Sequence, residues 1–165
     1  MSKYRILAYL CLTAWISIAH ASTLVVPMYH TQTHHLMGTI KISESLLGLQ
    51  FKVHMSGVSP GEHGFHLHAH ASCRHHGLGA GGHYDPMHTN RHLGPYREGH
   101  LGDLPVIIAN KQGIVDMTVL VPRIKQLSLV KGRAIIVHVF GDNYSDNPKP
   151  LGGGGPRLAC GIIKE

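Results

Sequence analysis

The sequence of 165 residues is poor in aromatic and charged residues, and it has no run of basic residues. Aromatic residues make up 6% of the chain and charged residues 15%, and the one tryptophan is Trp15. Lysine and arginine do not cluster with interleaved aromatics, which argues against a nucleic-acid-binding protein. The net charge of +6 is scattered along the chain. This mild positive balance fits the attraction of a small anion better.

The apolar stretch near the start is too short for a membrane span, which needs about 20 apolar residues. It covers residues 6–18, follows Lys3 and Arg5, and precedes the sequence AHA. A charged start, a short apolar segment and a small-residue ending are typical of a secretory signal peptide. We therefore expect residues 1–21 to be a signal peptide that is cleaved after Ala21.

The remaining residues, 22–165, are enough for one domain with a sizeable core. No internal repeat or low-complexity linker divides them. Removal of Lys3 and Arg5 lowers the formal net charge from +6 to +4. Cys73 and Cys160 remain, and in an oxidising compartment we expect them to form a disulfide, with two buried free thiols as the alternative.

Short, β-branched and often alternating apolar segments recur in this chain, with little helical periodicity. They predict an all-β fold of eight antiparallel strands, arranged as a sandwich or flattened barrel. The segment VPRIKQLSLVKG, at residues 121–132, allows a short helical turn. The predicted strands are Thr23–Tyr29, His35–Ile42, Leu47–Met55, Gly64–Ala69, Leu104–Ala109, Ile114–Val121, Arg133–Phe140 and Leu158–Ile163.

Two long irregular stretches interrupt these strands, at about residues 70–102 and 141–156. Long loops in a compact domain are usually functional or disordered. The second, GDNYSDNPKPLGGGGP, lacks the strand and lysine context of a phosphate-binding loop. The first stretch and the residue just after it supply three imidazoles and a carboxylate, which are ligand types that zinc accepts. These zinc candidates are His83, His92, His100 and Asp103.

Other histidines lie in the predicted strands. Because alternate strand residues face the same side, His66 and His68 project together. Phe65 and Leu67 then face the core. A third histidine, His138, lies in another predicted strand, within AIIVHVF. A nitrogen-rich platform on two strands suits a redox metal, copper(II) in particular.

Five segments together resemble the copper/zinc superoxide dismutases of the bacterial periplasm. They are GFHLHAHASC, GGHYDP, RHLGPYREGHLGDLP, GRAIIVHVFGDN and PKPLGGGGPRLACGII, in this order within residues 47–163. The resemblance implies an eight-stranded antiparallel Greek-key β-barrel or sandwich with two long functional loops. It implies one copper and one zinc ion per subunit, a periplasmic location, and either a monomer or a homodimer.

The resemblance also implies roles for individual residues. His83 would bridge the two metals and act in catalysis together with Arg157, which would dock the substrate. Asp142 would hydrogen-bond His66 and His92 and so orient both sites. The implied copper ligands are His66, His68, His83 and His138, and the implied zinc ligands are His83, His92, His100 and Asp103.

The implied reaction converts two superoxide anions to dioxygen and hydrogen peroxide, with copper alternating between Cu(II) and Cu(I), and it would protect the periplasm from superoxide. Superoxide would be the substrate. The resemblance implies no nucleic-acid partner and no stable membrane association after signal cleavage. The family's disulfide would join Cys73 to Cys160.

Two other functions fit parts of the sequence. An exported copper/zinc-buffering protein on the same fold is favoured by the surplus of histidines, although storage does not need Arg157, Asp142 or a shared His83. A zinc hydrolase with Glu62 or Glu98 as general base is disfavoured, because neither glutamate lies in a recognisable hydrolase motif.

Several histidines belong to neither ligand set. Those in the N-terminal segment, residues 22–36, either recruit metal or lie in a mobile, solvated chain end. We expect His70 to be a bystander next to the copper pair. The histidines that we call surplus are His30, His34, His35, His70, His75, His76 and His88.

Overall fold

The computed structural model describes residues 22–165, so the predicted signal peptide lies outside the described residues. None of the helices in this part is long and apolar enough to cross a membrane. Its nine strands are β1 (Thr23–His30), β2 (Leu36–Ser45), β3 (Gly48–Ser56), β4 (Gly61–His63), β5 (Phe65–His68), β6 (Ile107–Ala109), β7 (Ile114–Val121), β8 (Arg133–His138) and β9 (Arg157–Ile163). Its helices are three short 3-10 segments, Leu78–Ala80, Leu127–Leu129 and Pro150–Gly153.

The all-β prediction is confirmed, and each of the eight predicted strands is present with ends that differ by a few residues. The ninth strand, β4, was not predicted, because three residues are too few to show alternation. The helical turn expected in residues 121–132 is the 3-10 segment Leu127–Leu129.

Seven strands form one antiparallel sheet in the order β5-β8-β9-β1-β2-β3-β7, and β4 pairs with β6 in a small second sheet. Strand β3 shows why the sequence folds this way. Its apolar residues from Leu49 to Met55 are buried at every second position, and the residues between them are exposed. One face of the strand therefore packs in the core while the other meets water.

The core includes the side of β5 that was predicted to face inward. Phe65 and Leu67 are fully buried in the main apolar cluster. The ring of Phe65 meets that of Phe51 edge to face, with centroids 5.9 Å apart. His66 and His68 are buried as well, so the other side of β5 must also be covered by protein.

A disulfide joins Cys73 in the first long loop to Cys160 in β9, 87 residues further along the chain. The predicted disulfide is therefore present, and the alternative of two free thiols is wrong. Closing a loop of this length stabilises a fold by about 4–5 kcal/mol in the chain-entropy model. The bond ties the loop that follows β5 to the middle of the sheet.

Replacing both cysteines by serine (Cys73→Ser with Cys160→Ser) should lower the free energy of unfolding of the metal-free protein by about 2–5 kcal/mol. The unfolded chain then regains the conformational freedom that the bond removes. Denaturant titration measures the difference, and reduction of the wild-type protein should produce a similar loss. An unchanged midpoint and slope for the double variant would contradict this role.

Candidate metal centre

The first long loop is held along the free edge of β5 by backbone hydrogen bonds. Leu67 N donates to the Gly102 carbonyl, and Tyr84 N donates to the Leu67 carbonyl, both at 2.9 Å. The close approach requires glycine at 102, since a Cβ there would lie 2.2 Å from the Leu67 carbonyl oxygen. The loop therefore lies beside β5, and its His83 ring packs against His66 and His68, with centroids 4.0 and 5.0 Å apart.

Seven side chains from β5, β8 and this loop come together in two buried groups that share His83. Within each group, one nitrogen or oxygen of every residue lies within 4.8 Å of the others. They contain the same residues as the two ligand sets that the family resemblance implies. Group 1 is His66, His68, His83 and His138, and group 2 is His83, His92, His100 and Asp103.

In group 1, three imidazoles each use one ring nitrogen to fix their orientation. The donors and acceptors are His66 Nε2 to Asp142 Oδ2 (2.7 Å), His68 Nδ1 to the Gly81 carbonyl (2.9 Å) and His138 Nδ1 to the Gly155 carbonyl (2.9 Å). The opposite nitrogen of each ring is buried and has no hydrogen-bond partner among the described residues. Buried polar atoms are rarely left this way. A bound cation would satisfy all three at once.

In group 2, three imidazole nitrogens surround one carboxylate oxygen. Asp103 Oδ1 lies 2.9 Å from His83 Nδ1, 3.0 Å from His92 Nδ1 and 3.3 Å from His100 Nδ1. Ligands of a tetrahedral zinc ion with bonds near 2.0–2.1 Å are separated by roughly 3.3 Å. Both the donor types and their spacing therefore fit zinc.

Asp142 connects the two groups. Its Oδ2 accepts the hydrogen bond from His66, and its Oδ1 accepts one from His92 Nε2 at 2.8 Å. The four-glycine segment packs directly on this carboxylate. Gly152 has φ +71°, and a Cβ there would lie 1.8 Å from Asp142 Oδ1. The second long loop is thus a cover for the buried carboxylate as well as a surface loop.

Burial controls the protonation of these rings. Burial, with the neighbouring His83, lowers the pKa of His66 to about 3, and burial lowers the pKa of His138 to about 4. Neutral imidazole is the form that metals bind. His92 differs, because its close contacts with the carboxylates of Asp103 and Asp142 outweigh burial and raise its pKa to about 9. A positive charge is therefore favoured between these two carboxylates.

Arg157, at the start of β9, lines a cleft of about 450 Å³ that reaches group 1. Its guanidinium donates to the carbonyls of Gly77 and Gly81. The Gly81 carbonyl is also the acceptor for His68. Thr31 Oγ1 donates to the Arg157 carbonyl at 2.6 Å. The arginine is therefore fixed next to group 1 from both its side chain and its backbone.

The surplus histidines and the two glutamates lie outside both groups. Glu62 and Glu98 are exposed, which leaves the hydrolase interpretation without a base near the metal-binding groups. His30 Nδ1 accepts hydrogen bonds from the backbone of Gln32 and Thr33, so this nitrogen is already used within the N-terminal segment. The other surplus histidines, all exposed, are His34, His35, His70, His75, His76 and His88.

Sequence reasoning missed His63, which is buried behind group 1. Its Nδ1 donates to the His138 carbonyl at 2.7 Å, and its Nε2 lies 2.8 Å from the Ser59 carbonyl oxygen. The residue thereby links β4 to the end of β8. A signal was available, because His63 falls in the same alternation as the core residues Phe65 and Leu67.

Residues 36–163 match the family model described as copper/zinc superoxide dismutase (SODC). The chain belongs to the copper/zinc superoxide dismutase family. A Cu-Zn superoxide dismutase of Brucella abortus is 46% identical over 175 aligned positions, which cover 99% of this chain and 100% of that protein.

Two solved structures support the same assignment. The Cu/Zn superoxide dismutase from Brucella abortus has a TM-score of 0.83 and 49% identity, covering 87% of this chain and 100% of that one. The monomeric copper, zinc superoxide dismutase from Salmonella enterica has a TM-score of 0.76 and 47% identity, with the same coverage. The Greek-key β-barrel expected for a copper/zinc superoxide dismutase is therefore confirmed.

Asp142→Asn should weaken the binding of both copper and zinc by about 10–100-fold. The asparagine amide has one oxygen and no negative charge. It therefore cannot accept hydrogen bonds from both His66 and His92 as the carboxylate does. Competition with chelators measures the two affinities. Asp116→Asn, at an exposed carboxylate in β7, is the matched control and should change neither. Loss of one metal alone would contradict the joint role.

Proposed function

We propose that this chain is a superoxide dismutase of the bacterial periplasm, which converts two superoxide anions to dioxygen and hydrogen peroxide and protects that compartment. The observation that carries the proposal is the pair of buried groups that share His83. Membership of the copper/zinc superoxide dismutase family supports the activity and both metals. Metal storage would need neither a shared histidine nor an arginine fixed beside the cleft.

Group 1 would hold copper and group 2 would hold zinc. The all-nitrogen donors of group 1 suit copper(II), and three nitrogens with a carboxylate suit zinc. Copper bound there supplies single-electron chemistry by alternating between Cu(II) and Cu(I). His83 would serve both groups, because its Nδ1 lies beside Asp103 and its Nε2 is left for group 1.

His83 is then the residue that moves a proton. Its Nε2 takes up a proton as the first superoxide leaves as dioxygen. The same nitrogen gives this proton to the second superoxide, while water supplies another. Two superoxide anions and two protons thus yield one dioxygen and one hydrogen peroxide. Nδ1 remains beside Asp103 throughout, so the ring keeps its place between the groups.

Arg157 would bind the superoxide anion in the cleft. Guanidinium carries five N–H donors in a rigid fork, and it stays positively charged. Two of its nitrogens are engaged with the carbonyls of Gly77 and Gly81. These contacts fix the plane of the group, and the remaining donors are available to an anion beside group 1.

Export rests on the signal pattern of residues 1–21, and the disulfide is in keeping with an oxidising compartment. N-terminal sequencing of the protein from the periplasmic fraction should give a chain that begins at Ser22. The protein assembles either as a monomer or as a homodimer. The relative from Salmonella enterica is monomeric, and light scattering of the mature protein decides which state this chain adopts.

The mature protein, loaded with copper and zinc, should remove superoxide rapidly. Selective extraction of copper should abolish this activity, and adding copper back should restore it, because the electron-transfer chemistry belongs to that metal. Metal analysis and the rate of superoxide decay check both statements. Full copper loading without dismutation would instead support a copper/zinc-buffering protein.

His68→Ala should lose copper and activity, because it removes one nitrogen from group 1. His70→Ala, at an exposed histidine two residues further on, is the matched control and should keep copper and most activity. Mass spectrometry of the native protein gives the copper content of each variant. Comparable copper loss from the two variants would show that the assignment of His70 as a bystander is wrong.

A further inference from the structure

Arg123 makes a forked contact with the end of the first long loop. Its Nη1 donates to the His100 carbonyl and its Nη2 to the Gly99 carbonyl, each at 2.9 Å. These consecutive carbonyls belong to the segment that also carries Asp103. One side chain thus holds the backbone from which two of the four members of group 2 project.

The backbone of Arg123 is held firmly in the barrel. Arg123 lies between Val121, the last residue of β7, and Ile124, which is fully buried. Ile124 N donates to the Val121 carbonyl, and the Ile124 carbonyl accepts from Leu49 N at 2.8 Å. The guanidinium therefore connects the loop to the core of the barrel.

One of the hydrogen bonds within the loop is weak at this point. Asp103 N approaches the His100 carbonyl at 3.4 Å, which is long for an N–H···O hydrogen bond. His100 N donates to the Arg91 carbonyl, which belongs to the same loop. Hydrogen bonds from a guanidinium are roughly twice as strong as neutral ones. Leu67 N also binds the turn to β5 through the Gly102 carbonyl, and Arg123 adds two charge-assisted hydrogen bonds from beyond the end of β7.

We propose that Arg123 is a positioning residue for zinc, which holds His100 and Asp103 at the separation that a tetrahedral ion requires. The inference rests on the proposed assignment of group 2 to zinc. The charge of Arg123 and its positioning role predict opposite effects of its removal on zinc affinity. A guanidinium repels a nearby zinc ion, so its removal would tighten binding if charge alone mattered. Removal weakens binding if position dominates.

Arg123→Gln should weaken zinc binding by about 10–100-fold, the usual effect of losing an outer contact to a metal ligand. Arg123→Lys should recover only part of this loss, because an ammonium keeps the charge but lacks the fork that reaches both carbonyls. Competition with a chelator measures the zinc affinity of the folded, disulfide-bonded protein. The copper affinity of group 1, measured in the same samples, should stay unchanged.

Cobalt(II) placed in group 2 reports the geometry independently of activity. Its visible absorption is intense in a tetrahedral site and weakens when a ligand moves away. We expect weaker bands for Arg123→Gln than for the wild type. Lys125→Gln is the matched control, because Lys125 Nζ also donates to a carbonyl, that of Leu47 at 2.9 Å, but away from the metal loop. It should change neither the spectrum nor the zinc affinity.

Zinc binding by Arg123→Gln as tight as in the wild type, or tighter, would overturn the inference. Equal losses of copper and zinc would also overturn it, because they indicate a general loss of stability. Failure of the zinc assignment itself looks different. In that case His100→Ala, made in an otherwise wild-type chain, would leave zinc binding unchanged.

Discussion

The position of His83 is the constraint on which the rest of the site depends, because one imidazole must face two groups at once. Its Nδ1 lies beside Asp103, and its ring centroid is 4.0 Å from that of His66. The loop reaches this position by pairing with β5, through single bridges between His68 and His83 and between His66 and Asp103. The geometry of both groups thus follows from how one loop lies along one strand.

The same arrangement destabilises the metal-free protein, and bound metal ions would remove this destabilisation. Buried nitrogens without a hydrogen-bond partner destabilise a fold, and five histidines of the two groups carry one such nitrogen each within residues 22–165. The carboxylates of Asp103 and Asp142 lie buried among them. Cations at the two groups would satisfy these atoms and bind the loop to β5 and β8, so metal binding and the order of the loop are coupled.

The sequence predicts the parts of this structure that depend on the type and spacing of side chains along the chain. Alternation places His66 and His68 on one face of a strand, and the family resemblance selects His83 from several loop histidines. The contacts of His63, Arg123 and Thr31 could not be predicted in the same way, although alternation indicates that His63 faces inward. Each of these three side chains acts on a backbone carbonyl, namely that of His138, His100 or Arg157. Because every residue has a backbone carbonyl, the residue types of the partner segment do not show which carbonyl will accept the hydrogen bond.

The most direct test of the central claim is anomalous diffraction from crystals of the copper- and zinc-loaded protein, recorded at the absorption edges of both metals. The account predicts two separate peaks, with copper at bonding distance from His83 Nε2 and zinc at bonding distance from His83 Nδ1. A single metal position, or two positions of which only one contacts His83, would contradict it.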